Sequence, residues 1–174
     1  MKTNFLLFLA GFVLLGWSTT SCKRSCEKCC SVEDTKKTVH VTLKDYGPEP
    51  LVVDIDAATV SNENFRLSLW TGSLLQLTVM SIPVGGEIGL EVHDDTDQFL
   101  RIEEGQGKVM MGDTETSLTF VRDVEADFAV FVPAGKWHNL VNTGDKPLKL
   151  YSIYAPVEHP HSTVHKTPAD DVHH

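Results

Sequence analysis

The chain has 174 residues, of which 41% are hydrophobic, and a formal net charge of -9 at pH 7. This length supports one compact domain with a single core and does not divide comfortably into two. Phosphate binding needs clustered Lys and Arg, and the body of the chain has no such cluster, so the composition argues against nucleic acid as a partner.

Residues 1–21 predict an export signal. The run from Phe5 to Trp17 is apolar and uncharged, but it is shorter than the roughly 20 residues that a membrane-spanning helix needs. Small residues then lead to Cys22, which is similar to a bacterial lipoprotein signal, although Thr19 stands where that pattern usually has Leu. We therefore expect an exported cell-envelope protein anchored to the membrane through a lipid on Cys22. Ordinary secretion with cleavage near Ser21, or an uncleaved anchor, remains an alternative.

All four cysteines follow this segment directly, at positions 22, 26, 29 and 30. The Cys26-x-x-Cys29 spacing is that of a zinc half-site, but no second Cys or His pair follows nearby to complete it. Residues 22–38 are therefore interpreted as a polar tether. The remainder of the chain contains no cysteine, so its fold must depend on packing, and on a metal if one binds, rather than on disulfides.

Short β runs separated by turn residues begin at about residue 39. Glycine pairs and single glycines between the runs supply the positive φ angles that tight hairpins need. Residues 51–60 fit either a short helix or an irregular segment. Many short strands without a long helix predict an all-β sandwich or barrel. The predicted strands are 39–43, 65–70, 74–82, 87–93, 98–103, 108–111, 116–121, 128–132, 138–142 and 148–154.

Strand parity places candidate metal ligands on one side of this sheet. Glu91 and His93 are two residues apart, so on a strand both side chains point to the same face, with Ile88, Leu90 and Val92 facing the other layer. By the same parity Gln98 shares a face with aliphatic residues farther along its strand. The pattern predicts a barrel interior with a polar level near one mouth and an aliphatic level below it. It does not determine whether Gln76, Thr78 and Met80 or their neighbours face inward.

Glu91, His93, Gln98 and His138 are the predicted ligands of one divalent metal ion. A buried carboxylate without a partner is costly, and a divalent cation resolves that cost because carboxylate and neutral imidazole are suitable donors. Two histidines and one carboxylate also form the facial set of non-haem iron enzymes, and Gln98 would add a neutral oxygen. Iron, manganese, zinc and nickel are all compatible with this set.

Two motifs in the chain resemble the signatures of the cupin superfamily. Glu91 and His93 occupy the two histidine positions of the first motif, Gln98 occupies its glutamate position, and Gly85 and Gly105 bound it. The second motif is matched by Pro133, Gly135, His138 and Asn142, with Asp127 in place of its opening glycine. The resemblance covers about residues 74–156. It implies a double-stranded β-helix, or jelly-roll barrel, over a domain at residues 39–156, and it implies a homodimer.

Within the superfamily the chain resembles small single-domain cupins often labelled mannose-6-phosphate isomerase-like. The sequence supplies no basic pair for a sugar phosphate, because Arg101 has the wrong parity for the pocket, so the resemblance does not carry the isomerase activity over. We expect a metal-dependent enzyme, of isomerase or dioxygenase type, in which the metal polarises a small sugar-like or oxygen-rich substrate. The alternative is a non-catalytic cupin of the cell envelope that binds a metal or a sugar.

Residues 157–174 predict a polar, histidine-rich tail. Prolines interrupt it, and the histidines at 159, 161, 165, 173 and 174 have a spacing that suits weak, solvent-exposed metal contact at best. The tail is expected to be disordered or draped on the surface. If it folds over the barrel mouth, one of its histidines would become a substrate gate.

Overall fold

The computed structural model describes residues 41–171. The predicted export signal, the tether with its four cysteines, and His173 and His174 lie outside this range. Within the described range, no helix has the length and apolar character to cross a membrane.

Within residues 41–171, nine strands form two antiparallel sheets. The larger sheet has the order β6-β3-β8-β2-β1-β9 and the smaller has the order β5-β4-β7. The elements are α1 Ile55–Ser61, β1 Arg66–Thr71, β2 Gln76–Ile82, β3 Asp97–Glu104, β4 Gln106–Gly112, β5 Phe120–Glu125, β6 Ala129–Val132, β7 Trp137–Asn142, β8 Leu148–Ala155, β9 Val164–His165 and a 3₁₀ helix Pro168–Asp170. The strand pattern predicted an all-β sandwich or barrel, and the structure has the all-β jelly-roll architecture that the cupin resemblance implied.

The main core fills the space between the two sheets. It is built mostly from the inward faces of β2, β3 and β8 and from residues of β4 and β7 that face them. Strict alternation along β8 buries every second residue, because successive side chains on a strand point to opposite faces. The core consists of Phe65, Met80, Ile82, Ile88, Leu100, Ile102, Val109, Met111, Val124, Val130, Val132, Leu140, Leu148 and Leu150.

The outer face of the larger sheet is covered by the segment that precedes β1. Helix α1 buries Ala58 against Leu67, Leu69 and Val79, and the Asp54 carboxylate accepts a hydrogen bond from the Ala57 amide at its N-terminus, 3.0 Å away. A helix this short is marginal alone, so tertiary packing stabilises it. This decides the ambiguity over residues 51–60 in favour of a short helix.

The barrel interior has a polar level and an aliphatic level, as strand parity predicted. On β2, Gln76 and Thr78 are fully buried at the polar level, followed by Met80 and Ile82 at the aliphatic one. Gln98 stands opposite Tyr154 in the β3–β8 register, which extends the polar level across the sheet. The set that faces inward on β2, which the sequence left open, is therefore the one beginning with Gln76.

Three predicted strands differ from the structure. Residues 41–43 are not a strand, and the strand predicted at 116–121 is β5 at Phe120–Glu125. Residues 87–93 form single bridges from Glu87 to Val141 and from Glu91 to His138 instead of a continuous strand. Gly89 has a φ of 108°, which interrupts the alternation. As a result Ile88, which was predicted to face the other layer, is buried in the main core.

The described part of the C-terminal segment, residues 157–171, is ordered against the barrel, which differs from the disordered alternative of the prediction. Strand β9 pairs antiparallel with β1. Asp171 lies 3.2 Å from the buried guanidinium of Arg66, and the side chain of Gln76 exchanges two hydrogen bonds with the backbone of His159. The sequence pattern did not indicate this docking because it depends on partners far away along the chain.

Candidate metal centre

The bridge between the irregular segment 87–93 and β7 brings two of the predicted ligands together. The Glu91 amide donates to the His138 carbonyl at 3.0 Å and the His138 amide donates to the Glu91 carbonyl at 2.9 Å. The His93 carbonyl accepts a hydrogen bond from the Gly135 amide at 2.7 Å. Gly135 has a φ of 75°, a conformation that glycine adopts without a steric penalty. This explains its place in the Pro133–Lys136 turn before β7.

Glu91, His93 and His138 form a compact group in which one ligand atom from each lies within 4.8 Å of the others. Oε1 of Glu91 is 3.2 Å from Nε2 of His138 and 3.4 Å from Nε2 of His93. The two imidazole rings have their centroids 5.3 Å apart. The three side chains are at most 9% exposed, so solvent screens their interactions only weakly.

The outer nitrogen of each imidazole already has an acceptor. Nδ1 of His138 is 2.9 Å from the Lys136 carbonyl and Nδ1 of His93 is 3.0 Å from Oε1 of Glu158. Because a carbonyl or carboxylate oxygen can only accept, Nδ1 must carry the proton in a neutral ring. Each Nε2 then presents a lone pair toward the Glu91 carboxylate. A proton on each ring or a cation among the three groups reconciles these facing acceptors.

The pKa values of the group agree with this electrostatic arrangement. Burial alone would raise the pKa of Glu91, but hydrogen bonds from His138 and His93 and the charge of Arg66 together hold it well below its usual range. Burial alone would lower the pKa of His93, but Glu91 and Glu158 reverse that effect and raise it. The site therefore favours positive charge at its centre, and its donor set fits a divalent cation.

Gln98, the fourth predicted ligand, lies on β3 at the polar level of the barrel. It is 2% exposed and stands beside Tyr154, whose ring edge contacts His93 at a centroid distance of 5.8 Å. Its Nε2 donates to Ser152 Oγ at 3.1 Å. Its Oε1 accepts no hydrogen bond from residues 41–171, which leaves an oxygen available for a further partner. The structure brings Glu91, His93 and His138 together and places Gln98 at the same polar level.

A cavity of about 480 Å³ opens beside Glu91 and His93. Trp137 contributes to its wall on the barrel side, and the C-terminal segment forms the opposite wall. Among residues 41–171, those that line the cavity include histidines and acidic residues but neither Lys nor Arg. Its lining residues are Leu90, Glu91, Val92, His93, Trp137, Glu158, His159, Pro160, Thr163, His165, Asp170 and Asp171.

Sequence analysis missed two residues near the site, Glu158 and Arg66. Glu158 was grouped with the tail, and nothing in its local pattern indicates a partner on another element. Arg66 alternates with Ser68 on β1, and this parity is the one signal that could have identified it as an inward-facing cation. The buried guanidinium lies 2.6 Å from Nε2 of His159. Burial together with this positive charge lowers the pKa of His159 to about 3.

Comparisons with known proteins agree with the fold. Residues 78–154 match the model of a family described as Cupin domain. A protein of Bacillus subtilis (strain 168), uncharacterized protein YrkC, is 57% identical over 133 residues, which is 76% of this chain and 72% of that protein. Uncharacterized protein L612 of Acanthamoeba polyphaga mimivirus is 35% identical over 113 residues, 63% of this chain and 67% of that protein.

Solved structures of similar fold are also found. The crystal structure of BH2720 from Bacillus halodurans is 56% identical, with a TM-score of 0.73 over 74% of this chain and 97% of that one. TT1209 from Thermus thermophilus is 19% identical with a TM-score of 0.52, covering 60% of this chain and 96% of that one, and shows the likeness of fold alone. The two motifs, the jelly-roll barrel and these relatives together show that the chain belongs to the cupin superfamily.

Proposed function

We propose that this cupin is a metal-dependent enzyme that acts on a small, uncharged, oxygen-rich molecule of the sugar type. The observation that carries the proposal is the convergence of the Nε2 atoms of His93 and His138 on one carboxylate oxygen of Glu91. Three donors directed at one point form the type of set that holds a divalent ion in an enzyme site. Gln98 is proposed as a fourth donor because its buried Oε1 has no acceptor role within the described residues.

The chain's own residues hold the site and shield it. A bound divalent ion would supply a Lewis acid that polarises a carbonyl or hydroxyl of the substrate, which is compatible with isomerisation and with oxygen-dependent cleavage. Trp137 and Pro160 contribute apolar surface to the cavity wall. Tyr154 stands against His93, and burial raises its pKa, so the phenol retains its proton and can donate it in a hydrogen bond.

The charge of the cavity supports an uncharged substrate. Glu158 and Asp170 line the wall next to Glu91, and the described lining includes no basic side chain of Lys or Arg. Carboxylates placed this close repel a phosphate or a dicarboxylate unless cations balance them. Arg66 does not change this, because its guanidinium is buried beneath the wall and paired with Asp171. Hydroxyl groups are therefore the substrate functions that best match this cavity.

The decisive experiment is elemental analysis of the untagged protein and of two double variants. In the first variant, His93→Ala and His138→Ala remove both imidazole ligands. In the control, His173→Ala and His174→Ala remove the same number of histidines, neither of which is a proposed ligand. About one metal ion per chain is expected in the wild type and in the control variant, and loss of that metal is expected only in the first variant.

Ligand screening then separates the functional classes. Thermal unfolding of the metal-loaded protein with uncharged sugars and polyols is expected to show stabilisation that sugar phosphates do not produce. Stabilisation without turnover of any bound sugar would favour the non-catalytic binding protein. A wild type that contains no metal after purification and after reconstitution with iron, manganese, zinc and nickel would contradict the proposal.

A further inference from the structure

The C-terminal segment supplies one carboxylate that contacts a proposed metal ligand. Oε1 of Glu158 lies 3.0 Å from Nδ1 of His93, on the side of the ring that faces away from Glu91. His138 has the equivalent contact to a backbone carbonyl, that of Lys136. The two proposed imidazole ligands are therefore oriented in the same way, but by different means. The orientation of His138 depends on a carbonyl two residues earlier in the chain. The orientation of His93 depends on the side chain of Glu158, 65 positions farther along the sequence.

Two contacts of residues that follow Glu158 in the chain hold it in this place. The next residue, His159, is fixed by the side chain of Gln76, whose Oε1 accepts from the His159 amide at 2.8 Å and whose Nε2 donates to the His159 carbonyl at 2.9 Å. Farther along, Asp171 pairs with Arg66. Gln76 and Arg66 are both fully or almost fully buried, so they act as rigid anchors inside the barrel.

We propose that Glu158 is a positioning residue of the metal centre, which accepts the Nδ1 proton of His93 and thereby directs Nε2 of that ring toward the ion. The proposal rests on the proposed metal function of Glu91, His93 and His138. Metal-binding histidines usually donate their second ring N–H to a carboxylate, a carbonyl or water, and this contact fixes the tautomer and increases the basicity of the ligating nitrogen.

The hydrogen bond, more than the net charge of Glu158, is the source of the effect. The Glu158 side chain is 28% exposed, whereas that of His93 is 9% exposed, so solvent partly screens the carboxylate charge. A directed hydrogen bond still fixes the ring. Glu158 also lies beyond residues 78–154, the part that matches the cupin family. The docked C-terminal segment therefore adds a contact that the matched family region does not contain.

Two isosteric variants of Glu158 test this assignment. Glu158→Gln removes the charge and keeps an oxygen that can accept from Nδ1, whereas Glu158→Met removes both the charge and the acceptor at similar length. Glu115→Met, at an exposed turn, is the control for the loss of one carboxylate. The measurements are the Zn²⁺ dissociation constant of the full chain, by competition with a chromogenic chelator, and the His93 tautomer of the metal-free protein, by ¹⁵N NMR at alkaline pH.

Glu158→Met is expected to weaken Zn²⁺ binding by about 10–100-fold and to lose the Nδ1–H tautomer of His93. Glu158→Gln is expected to lose less affinity and to retain the tautomer, and Glu115→Met is expected to match the wild type. Unchanged affinity and tautomer in Glu158→Met would overturn the assignment. Equal losses in the two Glu158 variants with an unchanged tautomer would also overturn it, because charge alone would then act. If the wild type binds no metal, the proposed function fails, and the tautomer comparison still decides whether Glu158 orients the ring.

Discussion

Oε1 of Glu91 stands 3.2 Å from Nε2 of His138, although the two residues are 47 positions apart in the chain. Two backbone hydrogen bonds between the same residues hold them together. The contact therefore does not depend on the side chains alone, since the bridge brings both residues to one mouth of the barrel. A metal ion bound at this contact would link the two motifs of the fold directly.

The charge of Glu91 is expected to determine metal affinity. Glu91→Gln keeps the shape of the side chain and removes its charge, so it should weaken Zn²⁺ binding by more than the roughly 10–100-fold that loss of an outer hydrogen-bond partner costs. Chelator competition measures the effect. The matched control is Glu87→Gln, because Glu87 lies on the same segment and accepts a hydrogen bond from Asn139 Nδ2 that an amide oxygen can also accept. Equal affinities in the two variants would contradict the role of Glu91.

The Arg66–Asp171 ion pair is expected to hold the C-terminal segment on the barrel. Arg66→Met leaves the Asp171 carboxylate, 6% exposed, without its cation, and this type of change costs about 3–5 kcal/mol. Urea unfolding measures the loss, and hydrogen exchange should show faster opening at β9. Adding Asp171→Asn to Arg66→Met should recover part of the stability because it removes the unpaired charge.

A suitable control is Lys108→Met, since Lys108 pairs with Asp123 at the surface. Its loss of stability should be much smaller than that of Arg66→Met, because water screens exposed ion pairs. Similar losses in the two variants would show that the buried pair does not have the proposed anchoring role.

His159 is expected to make stability fall in mildly acidic solution. Burial and the charge of Arg66 lower its folded-state pKa from 6.5 to about 3, so between these values the unfolded chain binds a proton that the folded protein does not. The contribution of His159 to stability should therefore be fully present above pH 6.5. Below pH 6.5 the free energy of unfolding should decrease by up to about 1.4 kcal/mol per pH unit. Denaturant unfolding of the wild type and of His159→Gln measures the difference, because the other groups titrate in both proteins. Parallel pH profiles would rule out this contribution.

We expect position 135 to require glycine because of its backbone conformation, and not because a side chain would lack space there. Its φ is 75° and a Cβ atom there would meet nothing within 4 Å, so Gly135→Ala should cost roughly 1–2 kcal/mol through backbone strain alone. Gly135→Asn should cost less, because Asn tolerates the left-handed region better than Ala does. Thermal unfolding compares the two variants. An equal or larger loss for Asn would indicate a steric cause instead.

Local pattern in the sequence predicted the main features of the barrel. Alternation along β3 and β8 separates Gln98, Leu100 and Ile102 from Phe99 and Arg101, and the structure buries the first set. The prediction failed at Ile88, where the left-handed glycine Gly89 breaks the alternation. The prediction also placed β5 four residues too early. The side chains of this strand are largely exposed, and an exposed strand carries little hydrophobic signal.

The resemblance of two local motifs was enough to indicate the cupin family, the jelly-roll class and the group of Glu91, His93 and His138, because these motifs can be compared residue by residue along the chain. Only the tertiary structure decided that Gln76 faces inward, that Arg66 is buried beneath the cavity wall, and that Glu158 contacts His93. These contacts join residues far apart in sequence through single polar interactions. A periodic pattern encodes the face of a strand, but it does not encode which distant side chain will satisfy a buried polar group.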